Sequence, residues 1–408
     1  MVMKKAMGVF VLGLSLHGWL YGQSLTLLGS YGTPYAEAHG VSDDGTVVVG
    51  WAGISSPHIA FRWTPSTGMV SIGSLASGRD TEAWGLSANG QVIVGYGFIS
   101  GSIYRGFRWE NGTFTQIGTF GGNTSWAWDA DYDGSVIVGA AQLSNGFNRA
   151  FRWENGTMEN LGTLPGGIRS VARAVSHDGN VVVGWSGDGS GIHHAFRWTP
   201  AGMVEIHNPA WGQSEALGVS GDGNVVVGAW GDASFTPARP FRWTESTGMV
   251  DLGTLGGQWG EAWDANYDGT IIVGWSDRDP GGASEWAAFR WKNGVMEDLN
   301  ITYASLIPAG VRLEWASAIS SDGRYIVGNA YNANTGKWEV FLLDTGPQCT
   351  AHNGDVDSNN CVDDADLLAV LFAFGNSGSN LGRVDVNCDG TVDDADLLMV
   401  LFNFGNGC

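Results

Sequence analysis

Two segments near the C-terminus carry oxygen-bearing side chains at alternating positions. Asp355, Asp357, Asn359, Asp363 and Asp366 occupy positions 1, 3, 5, 9 and 12 of a twelve-residue stretch. Thirty residues on, Asp385, Asn387, Asp389, Asp393 and Asp396 repeat the pattern. Calcium is a hard cation that takes roughly six to eight oxygens at about 2.3–2.6 Å, and a twelve-residue loop supplies them from these positions plus the carbonyl of position 7. That carbonyl belongs to Cys361 in the first loop and Thr391 in the second. Position 6 needs a sharp turn, for which Gly390 is suited and Asn360 is the next most tolerant choice. The pattern predicts two bound calcium ions. A merely acidic, solvated tail would account for the charge but not for the spacing.

Each loop runs into a Leu-rich stretch, Leu367 to Phe374 and Leu397 to Phe404, read as a helix that supplies a small core. Position 12 is Asp, where ordinary EF-hands have Glu. A duplicated loop-plus-helix of this kind resembles a type I dockerin, over Gly354 to about Gly407. The resemblance implies a small α-helical, EF-hand-like domain that docks a secreted protein, often a polysaccharide-degrading one, onto a cohesin-type partner. The family's partner-choosing pair falls on Asp364-Ala365 and Asp394-Ala395. Many dockerins carry basic residues later in the helix, where this chain has Leu371-Phe372 and Leu401-Phe402. A cell-surface partner, or a calcium-stapled cap with no partner, therefore stays open beside a cohesin.

All four cysteines lie in or beside this module. Four cysteines allow three pairings. Cys349 and Cys408 flank the module, so the pairing Cys349–Cys408 with Cys361–Cys388 is expected. A structural zinc site is not expected, since no CxxC spacing or nearby His pair is present.

The rest of the chain must present this module and any further site. The 408 residues include 64 Gly and 20 Trp, 43% are apolar, and the formal net charge is −21. That apolar content excludes wholesale disorder, and Gly follows no collagen period. The negative charge excludes a nucleic-acid binder, because phosphates would be repelled. Between Ala38 and Gly328 a unit recurs seven times: a polar residue, Asp-Gly or a close variant, then a Val/Ile run ending in Gly50, Gly95, Gly139, Gly184, Gly228, Gly274 or Gly328. Phe-Arg-Trp follows at Phe61, Phe107, Phe151, Phe196, Phe241 and Phe289, decayed in the last copy to Phe341-Leu342-Leu343.

Each unit reads as four short strands. A two-residue hairpin with positive φ at both central positions is expected at Asp44-Gly45, and turns at Asn111-Gly112, Asn155-Gly156 and Asn293-Gly294. The repeats therefore predict an all-β, seven-bladed β-propeller. The last copy stops at Asp344 without a fourth strand, and Ser24 to Gly29 reads as the missing strand that closes the ring. The repeats resemble the bacterial extracellular HAF repeat family over about Ser24 to Asp344. His194-Ala195-Phe196 is a literal match, with Arg149-Ala150-Phe151 and Ala288-Phe289 looser. The resemblance implies secretion and a propeller-like fold, and no activity.

Counting back from the residue before the first hairpin, every copy has Ala four positions earlier: Ala38, Ala83, Ala127, Ala172, Ala216, Ala262 and Ala316. Five back stand Glu37, Glu82, Trp126, Val171, Glu215, Glu261 and Trp315. Three back stand His39, Trp84, Trp128, Arg173, Leu217, Trp263 and Ser317. These positions open the innermost strands and are expected near one mouth of the central channel. Glu37, Glu82, Glu215 and Glu261 with Trp84, Trp128 and Trp263 make a candidate carbohydrate site: aromatic faces stack on sugars and carboxylates accept from hydroxyls. Repeated residues more often serve repeated packing, and no catalytic set stands out. The six Arg of Phe-Arg-Trp are read as structural, paired with carboxylates or stacked on Trp.

Residues 1–22 have Lys4 and Lys5, an apolar run and a small residue, Gly22, the order of a cleaved secretory signal. No other stretch is long enough to span a membrane. The expected organisation is a signal over 1–22, a propeller over 23–346, a linker over 347–353 and the calcium module over 354–408. The sequence reading is an extracellular or cell-surface, non-catalytic binding propeller attached through its dockerin-like module. The alternative is a glycoside hydrolase or polysaccharide lyase of polysaccharide catabolism.

Overall fold

The structure is a computed structural model that describes residues 22–280, 285–346, 352–357, 359, 361–376, 381–387 and 391–408. The chain folds into seven four-stranded antiparallel sheets. Six use consecutive strands; the first is Ala36–Val41, Val48–Ala52, Ile59–Thr64 and Gly68–Ser71. The seventh sheet takes Val311–Ile319, Tyr325–Asn332 and Lys337–Asp344 from the last repeat, and its outer strand is Ser24–Gly29. Ser24 lies opposite Asp344 and Leu27 opposite Phe341. The N-terminal strand thus completes the last blade, as the repeat arithmetic requires.

The blades are held by side-chain layers between neighbouring sheets. In the Val run of blade one, Val48 packs toward blade seven, while Val47, just before the second strand, and Val49 pack toward blade two with Ala83, Leu86 and Phe107. That division explains the unbroken Val/Ile run: a sheet covered on both faces has no polar side. The Phe of every Phe-Arg-Trp copy, and Phe341 in the last, is fully buried. Such rings bury a large apolar area each and dominate the interblade cores.

The first hairpin departs from expectation. Strand pairing stops at Val41 opposite Val48, and of the central pair Gly45 has positive φ while Asp44 does not. The turn is wider: Gly45 N–H donates to the Ser42 carbonyl at 2.9 Å, and Asp44 accepts from the Thr46 N–H at 2.9 Å. The Asp caps the turn with its side chain instead of entering the left-handed region. Asn-Gly turns between the third and fourth strands do take positive φ at both residues, 48° and 83° at Asn111-Gly112.

The arginines pair with carboxylates as expected in three copies, Arg108 with Glu110, Arg152 with Glu154 and Arg290 with Glu297, and Arg108, Arg152 and Arg197 also reach the next blade. Arg152 Nε donates to the carbonyl of Gly179, the turn glycine of the next blade, at 2.9 Å. Arg108 does the same to Gly134 at 3.1 Å, and Arg197 to Gly223 at 3.1 Å through its terminal nitrogen. They are interblade ties to backbone, with carboxylates such as Glu154 as second partners.

Around one mouth of the channel, backbone bonds step from blade to blade. Asp43 N–H reaches the Ala88 carbonyl, Asn89 the Tyr132, Tyr132 the His177, His177 the Gly221, Asp222 the Tyr267 and Tyr267 the Ser321 carbonyl, at 2.9–3.2 Å.

Past the propeller lie helices Asp364–Ala373 and Asp394–Phe402. Each begins with a reciprocal capping box, Asp363 with Asp366 and Asp393 with Asp396. Val362, Val370, Val386, Val392 and Val400 form their shared core. No helix among the described residues is long and apolar enough to cross a membrane.

Candidate functional site

The innermost strand of every blade contains a β-bulge at the same place. In blade one Ala38 lies opposite Gly50 and Gly40 opposite Val49, leaving His39 without a partner on the neighbouring strand. The same shift recurs in the other six blades at Trp84, Trp128, Arg173, Leu217, Trp263 and Ser317. A bulge re-aims the inserted side chain. Here all seven inserted residues line one cavity of about 450 Å³.

Two small residues per blade permit this geometry. The alanines preceding the bulge are buried to 0–1% exposure, packed where neighbouring inner strands converge. The Gly ending each Val run lies under the bulge: a Cβ at Gly50 would sit 1.8 Å from the Glu37 carbonyl oxygen. No side chain fits there, which gives the repeated Gly a physical reason.

Of the seven residues singled out from sequence, Glu37, Trp84, Trp128, Glu215, Glu261 and Trp263 line the cavity. Glu82 does not. Its carboxylate receives His58 at 2.7 Å, the Trp84 indole N–H at 3.0 Å and the Tyr96 hydroxyl, and it is buried behind them. The other glutamates also have partners. Glu37 holds His39 at 3.1 Å and the Tyr35 hydroxyl. Glu215 holds His193 at 2.6 Å, and Glu261 accepts from the Trp263 indole at 2.7 Å. Desolvation pushes the Glu261 carboxyl up, against its indole hydrogen bonds. At Glu37 the same burial is outweighed by His39 and by the Tyr35 hydroxyl, which hold it below the usual carboxylate range.

Sequence reasoning passed over three groups. Asp129 and Asp264 follow the bulge where other blades have Gly or Ala. Each accepts two backbone N–H groups, one from its own chain neighbour and one from the next blade, Val175 or Ile319, at 2.9 Å. Burial raises both carboxyls to about 7, against those hydrogen bonds. Both also line a second, smaller cavity of about 100 Å³, with His177 in its wall. The third group is Arg173, whose guanidinium carbon lies 4.6 Å from the centre of the Trp128 ring. These residues break the repeat, and that irregularity was the available signal.

In the C-terminal segment, Asp355, Asp357 and Asp366 each place one carboxylate oxygen within 4.8 Å of the others. Asp366 accepts from the N–H groups of Val356, Asp357 and Asp363 at 2.6–3.0 Å. Burial raises its carboxyl, but these backbone donors outweigh it and hold it low. Asn359 lies against Asp357, with its side-chain amide 3.1 Å from the carboxylate. Asp363 and Asp393 cap their helices, accepting from Ala365 and Ala395. In the second loop Asn387 N–H meets Asp396 at 3.0 Å, and Asp385 is buried. Cys361 carries the carbonyl expected at position 7 of the first loop, and Thr391 that of the second. Asp389 lies outside the described residues. An all-oxygen donor set with a converged acidic core fits a hard divalent cation.

The disulfide expectation needs correction. Cys361 is bonded to Cys408, which rules out both expected bridges, Cys349–Cys408 and Cys361–Cys388. The chain end folds back over the first loop, where Val362 N–H donates to the Asn406 carbonyl at 3.0 Å and Gly405 N–H to the Val362 carbonyl at 2.8 Å. That two-way pairing brings the Cys361 and Cys408 Cα atoms to 4.6 Å, within disulfide reach. Cys349 and Cys388 lie outside the described residues.

Fold and site together define a seven-bladed β-propeller with a bulge-lined axial cavity. No protein-family model matches the chain, nor does any curated protein. Among solved structures it is similar to an oligogalacturonate lyase from Vibrio parahaemolyticus, at TM-score 0.50 and 10% identity, over 78% of this chain and 93% of that one. The β-propeller domain of the Trilobed protease from Pyrococcus furiosus gives 0.49 and 8%, over 76% and 95%. TolB from Acinetobacter baumannii gives 0.43 and 11%, over 75% of this chain and 65% of TolB. At such identities the likeness is one of fold.

Proposed function

We propose that this chain is an extracellular or cell-surface binding propeller whose axial cavity takes carbohydrate, attached to a partner through a calcium-holding C-terminal module. The observation that carries the reading is the ring of bulges. It places three tryptophans and three glutamates around one cavity, in the size range of ligand pockets, about 300–1,000 Å³. Indole faces cover the apolar faces of sugar rings, and the carboxylates, already oriented by His39, His193 and Trp263, accept from hydroxyls. In the module Asp355, Asp357, Asn359, Asp363 and Asp366, with the Cys361 carbonyl, would hold one calcium ion. Asp385, Asn387, Asp389, Asp393 and Asp396, with the Thr391 carbonyl, would hold a second. Calcium would neutralise these carboxylates and fix the loops for a cohesin-like or other surface partner. Glycan-array binding with wild type and Trp84→Ala tests the cavity: loss of an observed glycan signal in the variant supports it, and no signal in wild type refutes it.

A second reading rests on one contrast in the same cavity. Glu261 is pushed up by burial while Glu37 is held low by His39. Carboxyls with acidities driven apart are what a glycoside hydrolase uses as acid and base. Turnover of a polysaccharide that Glu261→Gln abolishes would establish it over the non-catalytic reading.

A further inference from the structure

We propose that the cavity ligand is an acidic sugar, a hexuronate whose carboxylate is received by Arg173. This deepens the carbohydrate reading and rests on it. Arg173 is the bulge residue of blade four, so the backbone aims it at the axis as in the six other blades. Its guanidinium lies over Trp128, which leaves its donor edge for a partner in the plane of the group. Its Nε is buried and has no hydrogen-bond partner among the described residues. The Trp128 indole N–H beneath it is likewise buried and unpaired. Buried donors are nearly always satisfied, so two together call for an acceptor that the chain itself does not supply.

The neighbouring carboxylates do not fill that role. Glu215 is committed to His193, Glu261 to Trp263, and Asp129 and Asp264 to two backbone N–H groups each. None of them forms an ion pair or hydrogen bond with Arg173; Glu215 and Glu261 act on it through the longer-range field, against the burial that lowers its basicity. Arginine is the side chain whose planar fork matches a carboxylate bidentately. A ligand with a carboxylate on a ring would satisfy the fork while its ring face meets Trp84 or Trp263 and its hydroxyls meet Glu37 and Glu261. Those glutamates would repel an anion lacking hydroxyls to offer them.

The test is a matched pair of ligands. Uronic acid trisaccharides of gluco, galacto and manno configuration are titrated by calorimetry alongside the same trisaccharides with their carboxylates reduced to alcohols. Wild type is expected to bind one acidic member at least tenfold more tightly than its reduced form. Arg173→Gln should abolish that preference, read as the ratio of the two affinities in the variant falling to about one. Arg173→Lys keeps the charge without the fork and should lose about tenfold for the acid alone, which preserves the test if the Gln variant fails to fold. Equal affinity for both forms, or an acid preference that survives Arg173→Gln, overturns the uronate assignment while leaving a neutral-sugar cavity in place. No binding of either form overturns the assignment together with the carbohydrate reading beneath it.

Discussion

The backbone N–H of Ser321 donates to the Asp43 carboxylate at 2.9 Å, across 278 residues of chain. Six backbone bonds carry the ring of blades from Asp43 round to Ser321. The seventh step, which joins the last blade to the first, is made by a side chain. It works beside the N-terminal strand and the shared core of Val48 and Phe61 with Val327 and Val340. A hydrogen bond to an ionised acceptor contributes roughly 1.5–3 kcal/mol. Asp43→Ala should therefore lower the propeller's melting temperature by several degrees, and Asp43→Asn by less. Differential scanning calorimetry reads this directly, and an unchanged transition in the Ala variant would remove Asp43 from ring closure.

Asp129 and Asp264 give the propeller a distinctive pH dependence. Burial raises both carboxyls from 3.8 to about 7 in the fold. The unfolded chain releases those protons near pH 4, so between pH 4 and 7 the folded state binds more protons. Their contribution to stability is therefore full below pH 4, declines as pH rises to about 7, and is flat above. The two sense each other across the channel and titrate as a pair. Asp129→Asn removes its share of this slope. The melting temperature of wild type relative to the variant should fall between pH 4 and 7, by the equivalent of about 1–2 kcal/mol once channel water is allowed for. Parallel curves over that range would contradict the upward shift of these carboxyls.

Arg152 tests the interblade ties. Its Nε holds the Gly179 carbonyl of the next blade at 2.9 Å and a terminal nitrogen holds Glu154. Arg152→Ala should destabilise by about 1–2 kcal/mol, while Glu154→Ala, which removes an exposed ion-pair partner, should cost under about 1 kcal/mol. Urea melts of both variants check the order; equal losses would mean that the carboxylate, not the backbone bond, is the tie.

Features set by residue pattern along the chain are legible in the sequence, and features set by contacts between blades are not. Blade number, strand order and closure by Ser24–Gly29 follow from repeat counting, because each is set by residue pattern along the chain. Glu82 looked equivalent to Glu37, yet it is consumed by His58, Trp84 and Tyr96, two of which come from outside its own strand. The bulge was invisible as a bulge: Ala38 and Gly50 announce a close approach, but not that His39 would be left over. Arg173 stood in the right register and carried no mark of its unpaired state, since pairing is decided by neighbours in other blades. Asp44 misled because Asp-Gly fits two turns, and the wider one uses its side chain.

Calcium binding is expected at both loops, and the first offers a clean variant. Asp357 is exposed, while Asp366 also anchors three backbone N–H groups and its loss would unfold the loop. Asp357→Ala should remove one of two calorimetric binding events and leave the second. Chelator should lower the melting temperature of the C-terminal segment and leave the propeller transition in place, because unneutralised carboxylates within 4.8 Å of one another repel. Two events persisting in Asp357→Ala would refute the first-loop site.

The Cys361–Cys408 bond closes a loop with a sequence separation of 47. Loop-closure entropy for such a length corresponds to about 4 kcal/mol in the chain-entropy model. The bond encloses both helices and their valine core, so its whole effect should fall on the C-terminal segment. Non-reducing peptide mapping should recover the peptide of Cys361 joined to that of Cys408. A Cys361–Cys388 peptide in the native protein would overturn the pairing. Cys408→Ser should free the chain end that Val362 holds through Asn406 and Gly405, and hydrogen exchange should rise at those amides first. Calcium should recover part of the lost stability, since ions bound to the folded loops favour the same state that the bond favours. The propeller's own transition should not move, because none of its described strands lies within the closed loop.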